Sequence, residues 1–367
     1  MKKKLLIIID TMKPMVDGVS MFLDNTLEGL SKFYDITIIA PHYSDETYEH
    51  ARLITFPVRK ISGLDYGFTK IKRKIIKEEV KKCDLIFNHE SLSPANISFY
   101  ALRYANKFNK PFFTYIHSID FELITELFNL PGFFKGLERF FLKIYARWFL
   151  KRETCTIVSF PTIEKILRQI KIKDKYEIVP IGITDIFKPG ESPYSNPDKI
   201  VIGFVGRISR EKGLDVLLEI FNDLQKKYDN IMLLIVGDGP LKQRFEGKKN
   251  LKLIGFVSQK EVADYYRAMD IFVLPSLTEA NSLATLEALR SGVCCVNTDV
   301  GAIRDYIKDG YNGFFFQDKK ELTDILERLI KDEKLRMEIG KNAAESVKQY
   351  TWQNTVNCLV KVFEKKV

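Results

Sequence analysis

Ile200-Val-Ile-Gly-Phe-Val-Gly206-Arg207-Ile-Ser-Arg210-Glu-Lys212-Gly213 is a short apolar run that ends in a glycine-bounded turn rich in cations. A continuous run of this length, apolar on both alternating faces, is how a strand buried in a parallel sheet reads. A helical pattern follows the turn, which completes half of a strand-helix-strand unit. The same sign recurs downstream at 231–236, 251–254, 271–274 and 293–297, and upstream at 5–9, 36–40, 85–88, 112–116 and 156–159. Helical patterns fill most of the gaps. The alternation predicts an α/β chain with two parallel, doubly wound sheets.

Residues 187–198 carry three prolines in twelve positions with polar filler, and read as a linker between domains. At 367 residues the chain accommodates two domains of roughly 180 residues. The expected division is 1–190, 191–345 and a terminal amphipathic segment, 346–367, that could cross back to the first domain. Ligands of doubly wound sheets sit beyond the carboxyl ends of the strands. Two such domains facing each other would form a cleft there.

Composition narrows the class. The chain is 46% hydrophobic and 29% charged, the balance of a well-cored protein. Met1-Lys-Lys-Lys before the apolar run 5–9 mimics the start of a signal peptide, but the run ends at Asp10, too short for that or for a membrane span. The five cysteines are odd in number and include no CxxC, so free thiols in a reducing cytoplasm are expected. Four scattered histidines and no Asp-x-Asp give no sign of a metal site. The net charge of +9 attracts anions, whether nucleotide phosphates, nucleic acid or anionic lipid.

The motifs that follow strands carry the chemistry. Arg207 and Lys212 bring a planar guanidinium and a point charge close together, which suits a pyrophosphate; solvated loop charges are the alternative. Val236-Gly-Asp-Gly-Pro240 is ordinary turn chemistry when taken alone. Pro275-Ser-Leu-Thr-Glu279-Ala-Asn281-Ser282-Leu283 leads into a helix over 282–290 that carries Glu287. Residues 279–283 then lie at a helix N-terminus, where free amides and the dipole favour an anion. Glu279 and Glu287 beside a phosphate site suit sugar hydroxyls; as isolated residues they would be a helix-end charge and a solvated helix residue.

In the first half, Asp10 to Ser20 contains Asp17-Gly18-Val and joins a strand to a helix, where Gly18 lets backbone approach a ligand. It is not the dinucleotide fingerprint GxGxxG. His117 stands at a strand's carboxyl end and could donate to a substrate oxygen or be a satisfied core histidine. Residues 133–152 interleave aromatics with cations every four positions. That suits either a helix lying on an anionic membrane or one burying its aromatic face on its own sheet, and the second reading fits an ordinary domain better. The run 70–82, with seven cations against two glutamates, adds a second basic surface.

In this order the motifs resemble the retaining glycosyltransferases of family 4, which have the GT-B fold. The resemblance rests on Gly206-Arg207 through Lys212-Gly213, Val236-Gly-Asp-Gly-Pro240, Gly255-Phe256-Val257, Asp270-Ile-Phe-Val-Leu-Pro-Ser276, the pair Glu279 and Glu287, Asp299-Val-Gly301 and Asn312-Gly-Phe. It is strong over 200–316 and looser before, through Pro14, Gly18 and His117. It implies transfer from a UDP- or GDP-sugar to a lipid-linked or glycan acceptor without metal or other cofactor. Arg207 and Lys212 would hold the diphosphate and Glu279 the sugar hydroxyls. Glu287 would hold the ribose, and backbone at Phe256-Val257 would read the base. Asn281, Ser282 and Leu283 would line the donor, Gly18 would approach the phosphates, and His117 would lie near the transferred sugar.

Two departures stand out. Ala280-Asn281-Ser282 replaces the frequent Gly-Phe-Gly, and Ser118 replaces the frequent Asp. A cytoplasmic enzyme peripheral to the inner face of a membrane is expected. A nucleotide-sugar epimerase or a phosphorylase is the alternative within the fold. A nucleic-acid-binding protein rests on charge alone, since no binding module is present.

Overall fold

The computed structural model describes residues 2–10, 18–60, 67–90, 96–117, 132–169 and 176–367. The chain divides into two compact units, Met1–Gly182 with Trp352–Val367, and Ile183–Thr351.

The first unit holds strands β1 (Lys3–Ile9), β2 (Tyr34–His42), β3 (Arg52–Lys60), β4 (Gly67–Thr69), β5 (Leu85–Glu90), β6 (Phe112–Ile116), β7 (Cys155–Val158) and β8 (Tyr176–Ile178). They form one sheet in the order β4-β3-β2-β1-β5-β6-β7-β8. Every ladder is parallel except β3 with β4. The helices are α1 (Gly18–Ser31), α2 (Arg73–Lys82), α3 (Ile97–Lys107), α4 (Gly132–Leu150) and α5 (Pro161–Gln169), with a last helix from the chain's end, Trp352–Lys366. Leu5 to Ile9 are at most 1% exposed, as a central strand covered on both faces requires.

The second unit holds β9 (Ile200–Val205), β10 (Ile231–Val236), β11 (Leu251–Gly255), β12 (Ile271–Leu274), β13 (Cys294–Thr298) and β14 (Phe314–Phe316), in the order β11-β10-β9-β12-β13-β14. Its helices are α6 (Leu214–Leu224), α7 (Gln259–Arg267), α8 (Leu283–Arg290), α9 (Lys319–Lys331) and α10 (Glu333–Ser346). The helix Trp352–Lys366 is therefore α11. In both sheets the strand order reverses beside the first strand, at β1/β5 and β9/β12. These are the switch points at which doubly wound sheets open a crevice.

Three expectations change. Strands β3, β4 and β8 lie at or next to sheet edges and do not read as buried apolar runs; β3 even contains Pro57. The three-residue edge strand β14 is apolar but too short to read as a strand. Residues 187–198 are docked on the second unit rather than free: Phe187 is 1% exposed, Ser192 Oγ donates to the Asp264 carbonyl at 2.6 Å, and Tyr194 stacks on Tyr265 at 4.2 Å. Ile183 N bonds Tyr350 O at 2.9 Å, so the second unit begins at Ile183 and ends at Thr351.

α11 packs on the first unit. Phe363 meets Phe113 at 4.8 Å and Phe87 at 5.1 Å, and Trp352 meets Phe22 edge-on at 5.5 Å. Thr355 Oγ1 donates to Pro180 O at 2.8 Å. Gly29 on α1 makes room for Val356, whose Cγ2 would lie 2.8 Å from any added Cβ. Among the described residues no helix is long and apolar enough to cross a membrane. Phe363→Ala, which empties a site 1% exposed, is expected to cost about 3–5 kcal/mol in the urea transition of the first unit. A loss below about 1 kcal/mol would show that α11 is not part of that core.

Candidate active site

In the second unit the turns after β9, β10, β12 and β13 are tied to one another. Gly206 N bonds Val236 O at 3.0 Å, Ile208 N bonds Asp238 O at 2.9 Å, and Leu277 N bonds Glu211 O at 2.8 Å. Two glycines make this closeness possible. Gly213 has φ +64°, and a Cβ there would lie 2.1 Å from Pro275 O. Gly301 has φ +58°, and its Cβ would lie 2.1 Å from Glu279 O. Any other residue at either position would force the loop 275–280 away.

That loop brings Glu279 to Lys212. The ammonium lies 2.6 Å from Oε1, across 67 positions of sequence, and the carboxylate side chain is only 8% exposed. Ser276 Oγ donates to the same Oε1 at 2.8 Å. Both bonds fall on one oxygen, which leaves Oε2 able to accept from a ligand. Arg207, on the same turn as Lys212, is exposed and has no ion-pair partner among the described residues. Ser276 was not anticipated, although its place three residues before Glu279 on a turn is a readable sign.

Ser282 caps α8, its Oγ accepting from Thr285 N at 3.2 Å. Asn281 and Leu283 are half-buried beside it, and Ala280 O accepts from Ala302 N at 3.0 Å. Glu287 is not the solvated residue that its helix position alone would suggest. It is buried, and Tyr266 Oη donates to its Oε2 at 3.2 Å. Burial pushes its carboxyl up to about 8, partly offset by the Tyr266 bond. After β11, Val257 is half-buried and Phe256 is 74% exposed.

Gly18 and His117 belong to the first unit. Gly18 opens α1, and no described atom occupies the space of a Cβ there, so packing among the described residues does not demand glycine. The rest of its loop, 11–17 with Pro14 and Asp17, lies outside the described residues, as does Ser118. His117 directly follows β6, and its ring lies edge to edge with that of His89 on β5, the planes 22° apart and the centroids 5.1 Å apart. Their facing nitrogens, His89 Nδ1 and His117 Nε2, are 2.9 Å apart. Burial pushes the His117 imidazolium down to about 3, and burial together with His117 lowers His89 further below the usual range. Both rings are neutral at working pH. His89 was missed because β5 was expected to end at residue 88; a polar Asn88-His-Glu90 closing an apolar strand beside the switch point is the sign that marks it. Asp10, which follows β1 at the same edge, is raised to about 7 by burial despite a 2.8 Å bond from Asn96.

A family model described as glycosyl transferases group 1 matches residues 190–346, and one described as Glycosyltransferase Family 4 matches 16–185. The alpha-monoglucosyldiacylglycerol synthase of Acholeplasma laidlawii is 26% identical over 380 aligned residues, covering 92% of this chain and 90% of that protein. The sucrose-phosphate synthase of Thermosynechococcus elongatus superposes with a TM-score of 0.77 at 18% identity, covering 99% of each chain. HepE of Anabaena, solved with UDP-glucose, superposes with a TM-score of 0.76 at 16% identity, covering 99% of each chain.

The raised Glu287 carboxyl has a consequence for stability. Its ordinary value is 4.5 and its folded value about 8, so between these the unfolded chain loses the proton first. Stability from this group is present below 4.5 and declines as pH rises toward 8. Glu287→Gln, which cannot ionise, is expected to gain melting temperature relative to the native protein between about pH 5 and about pH 8. A difference that stays constant across that range would contradict the buried, protonated assignment.

Proposed function

The chain belongs to the group 1, family 4 glycosyltransferases, and on that premise we propose that it transfers a sugar from a UDP- or GDP-sugar to a lipid-linked or glycan acceptor, with retention of anomeric configuration and without a metal ion. The observation that carries the reading is the contact of Lys212 with Glu279 beside an exposed Arg207. In this reading Lys212 and Arg207 bind the diphosphate and offset the charge that grows on it as the bond to the anomeric carbon breaks. The oxygen of Glu279 that Lys212 and Ser276 leave open accepts from a sugar hydroxyl. Glu287 takes the ribose, backbone at Phe256-Val257 meets the base, and Asn281, Ser282 and Leu283 line the donor at the head of α8. Gly18 approaches the phosphates, and His117 meets the transferred sugar. The acceptor oxygen attacks the face that the phosphate leaves, and its proton passes to the departing phosphate oxygen.

A membrane-side acceptor is supported by α4. The expectation that this helix buries its aromatic face holds only for its end, where Leu142, Ala146, Phe149 and Leu150 are buried. Toward its start Phe133 is 81% exposed, Phe140 and Phe141 are each 59% exposed, and Phe134, Leu137 and Ile144 are also exposed. Lys135, Arg139 and Lys143 lie among them. Exposed aromatics set among cations suit an interfacial helix on an anionic bilayer. The basic helix α2 is a weaker candidate, since Glu79 pairs with Arg52 and Lys82, and Glu78 with Lys81. The relative from Acholeplasma laidlawii is named for a diacylglycerol product, in keeping with a lipid acceptor.

Glu279→Gln and Lys212→Ala are each expected to lower transfer by on the order of 100-fold or more while the fold survives. A thermal-shift panel of UDP-, GDP- and ADP-sugars identifies the donor, whose stabilisation of the fold grows with the logarithm of its affinity. Near-native turnover in either variant, or no shift with any nucleotide sugar, would sink the assignment. Co-sedimentation with anionic vesicles is expected to fall several-fold when Lys143, Arg147 and Lys151 are neutralised, and again when Phe140 and Phe141 become serine. Unchanged sedimentation in both variants would remove α4 from the reading.

A further inference from the structure

His89 and His117 lie within hydrogen-bonding distance of each other. Their facing nitrogens are 2.9 Å apart and the ring planes differ by 22°. His89 is fully buried, edge-on to Phe22 at 5.2 Å and to Phe87 at 4.4 Å. Its other nitrogen, Nε2, is buried without a hydrogen-bond partner. Two neutral imidazoles can make this bridge in two ways. If His117 Nε2–H donates, His89 must carry its own proton on Nε2, a buried N–H with nothing to receive it. If His89 Nδ1–H donates, only a bare lone pair is buried at Nε2, and His117 carries its proton on Nδ1. Buried N–H groups without an acceptor are rarer than unsatisfied acceptors, which selects the second arrangement.

We infer that His89 is a positioning residue: its Nδ1–H fixes His117 in the tautomer protonated on Nδ1 and holds the ring so that this single N–H is offered to an oxygen of the bound sugar. His117 keeps partial exposure at the end of β6, so its free nitrogen can reach a ligand. In this state His117 has no lone pair to spare, because Nε2 is occupied by His89 and Nδ1 carries hydrogen. It acts as a neutral hydrogen-bond donor and cannot take the acceptor's proton. That the oxygen belongs to the sugar rests on the role proposed above for His117; the tautomer does not.

Long-range proton–nitrogen NMR of the full chain labelled at histidine reads the tautomer directly. His117 in the native protein is expected to show a protonated Nδ1. His89→Phe keeps an aromatic ring but removes the donor, and should let His117 move toward the Nε2-protonated form. Turnover should then fall on the order of 10- to 100-fold with little change in KM for the nucleotide sugar. His89→Asn places a side-chain N–H near the lost one and should restore the tautomer and most of the turnover. A protonated Nε2 on His117 in the native protein would overturn the inference, as would an unchanged tautomer in His89→Phe. Should His89→Phe fail to fold, the native spectrum and His89→Asn still decide the matter. Normal transfer by His117→Ala would instead remove the sugar contact and leave the tautomer assignment standing.

Discussion

Parallel pairing is the constraint on which the rest of this molecule depends. A parallel strand cannot turn straight into its neighbour; the chain must return over the face of the sheet before the next strand begins. Every strand of the second unit's sheet therefore delivers its following turn to the same edge. Lys212, Glu279 and Gly301 follow three different strands, β9, β12 and β13, yet they meet because those strands end together. The pairing of β9 with β12 places the first and second of these turns on either side of the switch point.

The close meeting of loops is then a matter of steric permission. Gly213 and Gly301 touch backbone oxygens of the 275–280 segment at distances no side chain would allow. With the loops so close, Lys212 reaches Glu279 in a setting where the carboxylate is 8% exposed and the lysine 22%. A charge pair so shielded from water is stronger than its surface counterpart and more dependent on keeping its geometry. The same edge in the first unit uses different means. There two imidazoles, lowered by burial among Phe22, Phe87 and Tyr115, form a polar pair that carries no charge.

Much of this was legible in the order of residues. The central strands were readable because burial on both faces leaves an uninterrupted apolar run, as in Leu5 to Ile9. Some strands near the edges, such as β3, were not, because one side of Arg52–Lys60 has only a short partner and its residues need not be apolar. Residues 187–198 looked like a linker because prolines and polar residues mark exposed chain, yet Phe187, Tyr194 and Ser192 find partners on the second unit. Helix α4 stayed open between two readings because amphipathic periodicity shows that a helix has an apolar face without showing what covers it. Its last turns lie against the sheet; its first turns leave Phe133, Phe140 and Phe141 exposed.

By itself the sequence determined the α/β alternation, the family, and the candidate residues Arg207, Lys212, Glu279 and Glu287. All of these depend on local periodicity or on motifs whose spacing survives in one dimension. Only the tertiary structure decided which of them touch and in what state. Lys212 and Glu279 join across 67 positions, Glu287 is buried with its carboxyl raised to about 8, and His89 lies 2.9 Å from His117. Contact, burial and protonation depend on neighbours that the fold brings from distant parts of the chain, and no single segment specifies them.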